Sequence, residues 1–183
     1  MGYENLLSSD SIEWSTDPRV FASLNKEFAF TLDPCCTAQN ATCTKFYTKE
    51  QDGLKQSWAK ETVFMNPPYG NAKQPCQKNC RKKGCAKRGY HQLVYEPGIQ
   101  DWIKKAIREA WVGQATVVML IPARTETKWF GLFTDLASEI RFYKGRLRFG
   151  GMGSVAPFPS AAVVLTPTGP MTKMPVVRWV RPW

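Results

Sequence analysis

Hydrophobic and polar positions change period several times along the chain, and each change marks an element. A helical spacing opens at Asp17, which caps, with Pro18 in the first helical position and Val20, Phe21 and Leu24 on one face. The helix is expected to end near Phe28, where Phe28 to Leu32 reads as a short buried strand closed by Asp33-Pro34. Lys45 to Thr48 and Glu61 to Met65 read as further strands. After Pro97-Gly98 the helical period returns, with Trp102, Ile103, Ala106, Ile107, Ala110 and Trp111 on one face and Gly113 as the stop. Ala115 to Ile121 is an unbroken apolar run ended by Pro122, the pattern of a central strand buried on both faces.

Downstream, Trp129, Phe130, Phe133, Leu136 and Ala137 predict another helix whose aromatic stripe belongs to the core. Glu139 to Phe149 alternates around Gly145, with Ile140, Phe142, Leu147 and Phe149 inward and Arg141, Arg146 and Arg148 outward, either a basic face or a charge-blunted edge. Gly150 to Pro159 reads as a flexible loop and Ala161 to Thr166 as a last apolar strand. The tail, Val176 to Trp183, interleaves basic and aromatic residues, either to touch nucleic acid or to cover a sheet edge. Strand, loop, helix, strand is a crossover unit, so the sheet is partly parallel and the class is α/β. The 183 residues suit one domain, with residues 1–13 as a loosely attached lead and no internal repeat.

Charge narrows the class of partner. The net charge is +10 with a single histidine, so the excess is fixed Lys and Arg, suited to a polyanion such as nucleic acid. The longest strongly apolar stretch, Ala115 to Ala123, is too short to span a bilayer. Met1 to Leu6 has neither the basic start nor the apolar core of an export signal, so a soluble cytoplasmic protein is expected. Six cysteines in a reducing compartment are then thiols or metal ligands rather than disulfides.

Candidate chemistry starts at Asn66-Pro67-Pro68-Tyr69-Gly70, directly after strand Glu61 to Met65. Consecutive prolines fix φ and donate nothing, leaving carbonyls to accept from outside the chain. If the Asn66 side-chain oxygen and the Pro67 carbonyl accept both protons of an adenine 6-amino group, the nitrogen lone pair localises and can attack an electrophilic methyl. Tyr69 would stack on the base, which must be flipped out of a duplex or already single-stranded. The alternative is a rigid surface turn. Asp33, at the carboxyl end of a strand in an open α/β sheet, would point into the ligand crevice, unless it is a simple turn aspartate.

Asn66-Pro67-Pro68-Tyr69 resembles the catalytic motif of amino-group methyltransferases that use S-adenosylmethionine, and the wider chain resembles the phage-type DNA N6-adenine methyltransferases. The matching stretches are Trp14 to Pro18, Phe28 to Asp33, the proline loop, Met119 to Thr125, Gly145 to Gly151 and Ala156 to Ser160. That resemblance implies a Rossmann-like domain with a mostly parallel sheet, helices on both faces and final strands antiparallel to the rest. It implies catalysis by Asn66, Pro67, Pro68 and Tyr69, and S-adenosylmethionine held near Trp14, Thr16, Asp33, Pro34, Asp52 and Asn66. Asp52-Gly53-Leu54 resembles the family's adenine-contacting turn; from the residues alone, Glu50 or Asp52 would grip a ribose. The chain departs from the usual pattern in having Pro34-Cys35-Cys36-Thr37 where a glycine-rich turn is expected, which a cofactor without phosphate does not demand. The family also implies a phage-encoded enzyme that shields DNA from restriction. Methyltransferases of RNA adenine or protein glutamine share the motif, and a zinc-stabilised DNA-binding module without chemistry is the rival from another class.

The insert after the motif, about 71–97, is the most unusual stretch. Between 71 and 91 it carries Lys73, Lys78, Arg81, Lys82, Lys83, Lys87 and Arg88, no acid, and Cys76-x3-Cys80-x4-Cys85-x5-His91. Four such ligands suit a tetrahedral structural zinc, which would supply folding energy that so short a segment cannot draw from a core; the alternative is a flexible basic insert. Its seven cations, placed at the mouth of the pocket to hold phosphates, are candidate nucleic-acid contacts together with Arg146 and Arg148; Arg124, just past the strand end, would face the crevice and touch either ligand or nucleic acid.

Overall fold

The computed structural model describes residues 15–133, 135–149, 155–170 and 174–182. Helix α1 (Pro18–Phe28) starts as expected: the Asp17 carboxylate accepts from the Arg19 N–H, Pro18 sits in the first turn, and Val20 and Leu24 are buried. Its far end differs from the expected strand Phe28 to Leu32. Phe28 is still helical and Ala29 caps the helix at φ 53°, so strand β1 is only Leu32–Asp33. The aromatic run was misleading because Phe28 and Phe30 stack on each other at 5.7 Å and Phe30 reaches Phe64, a packing that calls for no extended backbone.

Strands β2 (Lys45–Phe46), β3 (Thr62–Met65) and β4 (Thr116–Pro122) follow, all parallel to β1. Between β3 and β4 lie α2 (Lys83–Arg88), within the insert, and α3 (Ile99–Trp111). Helix α3 buries Ile99, Trp102, Ile103, Ala106 and Ala110; each large apolar side chain removed from water contributes roughly 1.5–3 kcal/mol. Trp111 instead stays 42% exposed and Glu109 is buried. The reason is specific: Glu109 accepts the Trp58 N–H at 2.9 Å and pairs with Lys105 at 2.7 Å, tying the 50s loop to α3.

After β4 the expected long helix is one turn, α4 (Lys128–Gly131), capped by Thr127. Past it the backbone continues in separate turns, Phe133 N–H to Phe130 O and Ala137 N–H to Phe133 O, which still bury Phe130, Phe133 and Ala137. Strands β5 (Glu139–Tyr143), β6 (Ser160–Leu165) and β7 (Val176–Val180) complete a seven-stranded sheet in the order β2-β1-β3-β4-β6-β5-β7. The antiparallel member is β6, and it lies inside the sheet between β4 and β5; β7 runs parallel to β5 at the edge. Helix α1 packs with Phe64, Val118, Leu120, Ala162 and Val164 on one face, while α3 and Phe130 pack with Val63, Met65, Val117, Met119 and Ile121 on the other. The sheet is therefore mostly parallel with helices on both faces. No helix among the described residues is long and apolar enough to cross a membrane.

Candidate active site

The chain order around β1 fixes where a ligand can sit. From β1 the chain moves outward to β2, then recrosses to pair β3 on the other side of β1, so the connections diverge at the carboxyl ends of β1 and β3. A switch point of this kind opens a crevice in parallel sheets. Asp33 ends β1 and Asn66 follows β3, and between them lies a small open cleft lined by Thr16, Asp33, Cys35, Asn40, Thr42, Phe64 and Asn66, with Ser15 and Cys36.

Asp33 forms part of its floor. Its carboxylate is 4% exposed and accepts from the Thr42 hydroxyl at 2.8 Å, the Thr42 N–H at 3.1 Å and the Cys35 N–H at 3.4 Å. Burial raises its pKa, against the pull of those bonds. This side chain thus ties both ends of the loop from Cys35 to Thr42 to the strand end, with the Cys36 N–H on the Tyr47 carbonyl and the Thr37 N–H on Asn40 completing the fold. Pro34 sits against the turn at Gly53, where a Cβ would lie 2.0 Å from the Pro34 carbonyl oxygen. Asp52, at φ 52°, turns its carboxylate to Lys55 at 3.0 Å, and Glu50 accepts from Thr48; neither side chain lines the cleft. Trp14 lies outside the described residues.

At the other wall, the Asn66 amide donates from Nδ2 to Thr16 Oγ1 at 3.1 Å, and its oxygen accepts from the Tyr69 hydroxyl. The same hydroxyl lies 3.3 Å from the Leu120 carbonyl on the neighbouring strand β4. Burial pushes the Tyr69 phenol far above its ordinary pKa, so it is a neutral donor. Beneath Asn66 its backbone N–H faces the Cys35 sulfur, a half-buried thiol held well above the usual range by desolvation. The Tyr69 ring meets Phe158 edge-on at 5.6 Å, and Phe158 lies 6.3 Å from Phe149. Asn66 therefore has one end oriented by Thr16 and the other beside an aromatic corner. Pro67 is buried and Pro68 half-buried behind it.

The insert leaves and rejoins this wall through a narrow neck. Ile99 N–H donates to Gly70 O at 2.9 Å, and a Cβ on Gly98 would fall 2.2 Å from the Ala72 nitrogen, so two backbones touch there. Beyond the neck, Lys73 and Glu96 pair through backbone and side chain, and Cys76 N–H reaches Gln92 O. The side-chain donors of Cys76, Cys80, Cys85 and His91 all lie within 4.8 Å of one another. Sulfur separations of 3.5 Å (Cys76 to Cys85) and 3.6 Å (Cys80 to Cys85) approach the about 3.8 Å edge of a tetrahedron with Zn–S near 2.3 Å. The Lys82 N–H draws the Cys80 thiol down to about 7, whereas bonding to Cys76 holds Cys85 up at about 11.

Around these two features the cations divide. Lys78, Arg81, Lys82, Lys83 and Lys87 are exposed, Arg88 packs over Tyr90 at 5.2 Å, and Lys73 is compensated by Glu96. Arg148 is exposed next to Phe149, which bridges to Thr16, so it stands near the cleft; Arg146 bonds the Ala156 carbonyl, and Arg124 is half-buried just past β4. Sequence reasoning missed Cys35, Asn40, Thr42, Phe64 and the facing of Phe158 on Tyr69. Local pattern carried no signal for them, since each arrives by a loop folding back or by a strand neighbour.

The profile of the family described as DNA N-6-adenine-methyltransferase (Dam) matches residues 4–165 of the chain. The DNA N-6-adenine-methyltransferase of Haemophilus phage HP1 (strain HP1c1) is 28% identical over 142 residues, covering 76% of this chain and 66% of that protein. The protein of the same name from Escherichia phage T1 is 30% identical over 142 residues, covering 75% of this chain and 48% of that one. The chain thus spans from about half to just under two thirds of the length of these relatives. A solved structure from Listeria monocytogenes, described as a class I S-adenosylmethionine-dependent methyltransferase, aligns with a TM-score of 0.40 and 15% identity over 75% of this chain and 42% of that one, too distant to carry weight.

Proposed function

The chain belongs to the DNA N-6-adenine-methyltransferase family, and from that premise we propose that it transfers a methyl group from S-adenosylmethionine to the exocyclic amine of an adenine in DNA. The observation that carries this is the Asn66 carboxamide, oriented by Thr16 at the end of β3 and bordering the switch-point cleft. Chemistry of the lining fits the donor: among its described residues are neutral hydroxyls and amides and one carboxylate but no Lys or Arg, a set for a ligand with hydroxyls and an amine but no phosphate. Thr16 and Asp33 would hold it, Asp33 acting chiefly by fixing the loop to Thr42, while Asn66 borders the cleft without carrying the affinity. Pro34 and Asp52 belong to the supporting layer. Bound there, S-adenosylmethionine supplies an electrophilic methyl.

The chain's own part is to present the amine. Asn66 Oδ1 and the Pro67 carbonyl accept its two protons and concentrate the lone pair on nitrogen. An amide oxygen accepts two hydrogen bonds, so the amine can join Tyr69 there without displacing it. Tyr69 and Phe158 offer ring surface to the base, and Pro68 stiffens the loop. No group of unusual basicity is needed, because the surplus proton leaves after the transfer. The basic insert and Arg124, Arg146 and Arg148 hold phosphates.

Zinc closed by Cys76, Cys80, Cys85 and His91 gives the insert its fold, in a structural role with no open coordination position. Elemental analysis of chelator-free protein is expected to give one zinc per chain, and a metal-free, folded insert would defeat this part. The enzyme then works on DNA in the cytoplasm of a bacterial host, where such a modification protects phage DNA from restriction. Transfer of labelled methyl, with DNA, RNA and protein offered in parallel and the product digested, tests the reading. N6-methyladenine in DNA is the expected product. Label in RNA or protein would replace the substrate, and none at all in a protein that still binds DNA would leave only a binding module.

A further inference from the structure

We propose that Leu93 and Val94, on the returning limb of the insert, form an apolar wedge that enters the DNA duplex beside the adenine and fills the stack it vacates. The inference rests on the proposed reaction and adds a role that the cations do not explain. Leu93 is 83% exposed and Val94 70%, with Tyr90 at 59% and Tyr95 at 45% on either side. Four neighbouring apolar or aromatic side chains left in water are out of place on an otherwise cationic surface.

The pair is presented by a framed segment. On one side Cys76 N–H donates to Gln92 O at 2.8 Å; on the other Lys73 and Glu96 exchange backbone bonds at 2.8 and 3.0 Å. Between them the Gln92 side chain donates to the Val94 carbonyl at 2.7 Å, holding the bend that exposes both residues. Tyr95 then donates to Asp101 at 2.7 Å, and Asp101 also accepts the Gly98 N–H at 2.9 Å, so the limb is fastened to the start of α3. The neck at Gly70 and Gly98 fastens that base to the residue following Tyr69. An apolar tip framed by these bonds is thus joined by a few residues to the catalytic loop.

Charge selects the occupant. Residues 71–95 contain no acid, so a second copy would set one cationic face against another, whereas a polyanion is attracted. DNA is also the ligand for which the position makes sense. Taking a base out of a duplex leaves a gap beside its neighbours, and apolar side chains are used to occupy unstacked steps and stop the base returning.

The test compares full-length wild type with Leu93→Ser/Val94→Ser on two DNAs: a duplex containing the methylated site, and the same duplex with the target adenine opposite an abasic position, where extrusion is already easy. The variant is expected to lose at least tenfold in methylation rate on the paired duplex and less than threefold on the abasic one. The fluorescence rise of 2-aminopurine at the target position should fall in parallel, with zinc content and unfolding midpoint unchanged. Leu93→Met/Val94→Ile should behave as wild type. Equal losses on both DNAs, or none, would overturn the wedge. So would unchanged methylation in a variant that no longer sediments with anionic vesicles, which would assign the pair to a lipid surface. Wild type that forms no N6-methyladenine on either DNA would instead remove the proposed reaction itself.

Discussion

The cleft and the insert that rises beside it are held by different physics. Leu32, Val63 and Met65 beneath the cleft are fully buried, and the Asn66 amide, the Tyr69 hydroxyl and the Asp33 carboxylate are each positioned by neighbours from other strands and loops. Between residues 71 and 97 only Cys85 is buried, and the described order comes from a neck, a few backbone pairs and a cluster of metal-type ligands. A site that must hold an amide within a few tenths of an ångström benefits from close packing, whereas a surface for a long polyanion needs exposed charge and cannot bury itself. The two should accordingly fail separately.

The sharpest way to separate them is to damage each alone. Asn66→Ala should cut methyl transfer by about 10²-fold or more while cofactor affinity by titration calorimetry stays within about threefold; equal collapse of both would move Asn66 to the cofactor. Removing metal, or Cys80→Ser, should lower DNA methylation about tenfold or more yet leave cofactor binding and the main thermal transition in place. One global unfolding event on chelation would break the distinction between the regions.

Smaller effects refine each half. Gly53→Ala sets a Cβ 2.0 Å from the Pro34 oxygen, so denaturant unfolding should show a loss of ~1–3 kcal/mol and cofactor binding should weaken, with DNA affinity unchanged. Lys82→Ala should weaken DNA binding across sequences and reduce the slope of log affinity against log salt by about 1. Least of all, Glu27→Gln removes a partner of Arg141, which ties α1 to β5 at 2.6 Å. Its bond to Arg141 holds the Glu27 carboxyl below the usual 4.5, so the stabilisation is present above that pH and lost as pH falls through the lowered value. Glu27 is 53% exposed, which keeps the effect near ~0.2–1 kcal/mol, and the difference between variant and wild type should vanish in acid.

What the sequence determined by itself was whatever is encoded in neighbours along the chain. The Asp17-Pro18 helix start, the apolar run that became β4, most of the buried face of α3, the proline loop and the Cys and His spacing could all be read because their periods or ligand counts are local. Residue type alone could not foretell that strand β1 begins only at Leu32 after an aromatic run that is not extended, that the helix after Thr127 stops after one turn, or that Glu109 is buried and Trp111 exposed. Those outcomes depend on which distant partner a side chain meets: Phe30 and Phe64, the β5 and β6 strands, and the Trp58 N–H. The same holds for the site. Only tertiary structure brought Thr16 to Asn66, 50 positions away, folded Thr42 onto Asp33, set Phe158 against Tyr69, and placed the antiparallel strand inside the sheet. Such pairings are decided by the order in which strands join the sheet, a long-range choice in which burial and hydrogen bonding are satisfied together, and no short window of sequence contains it.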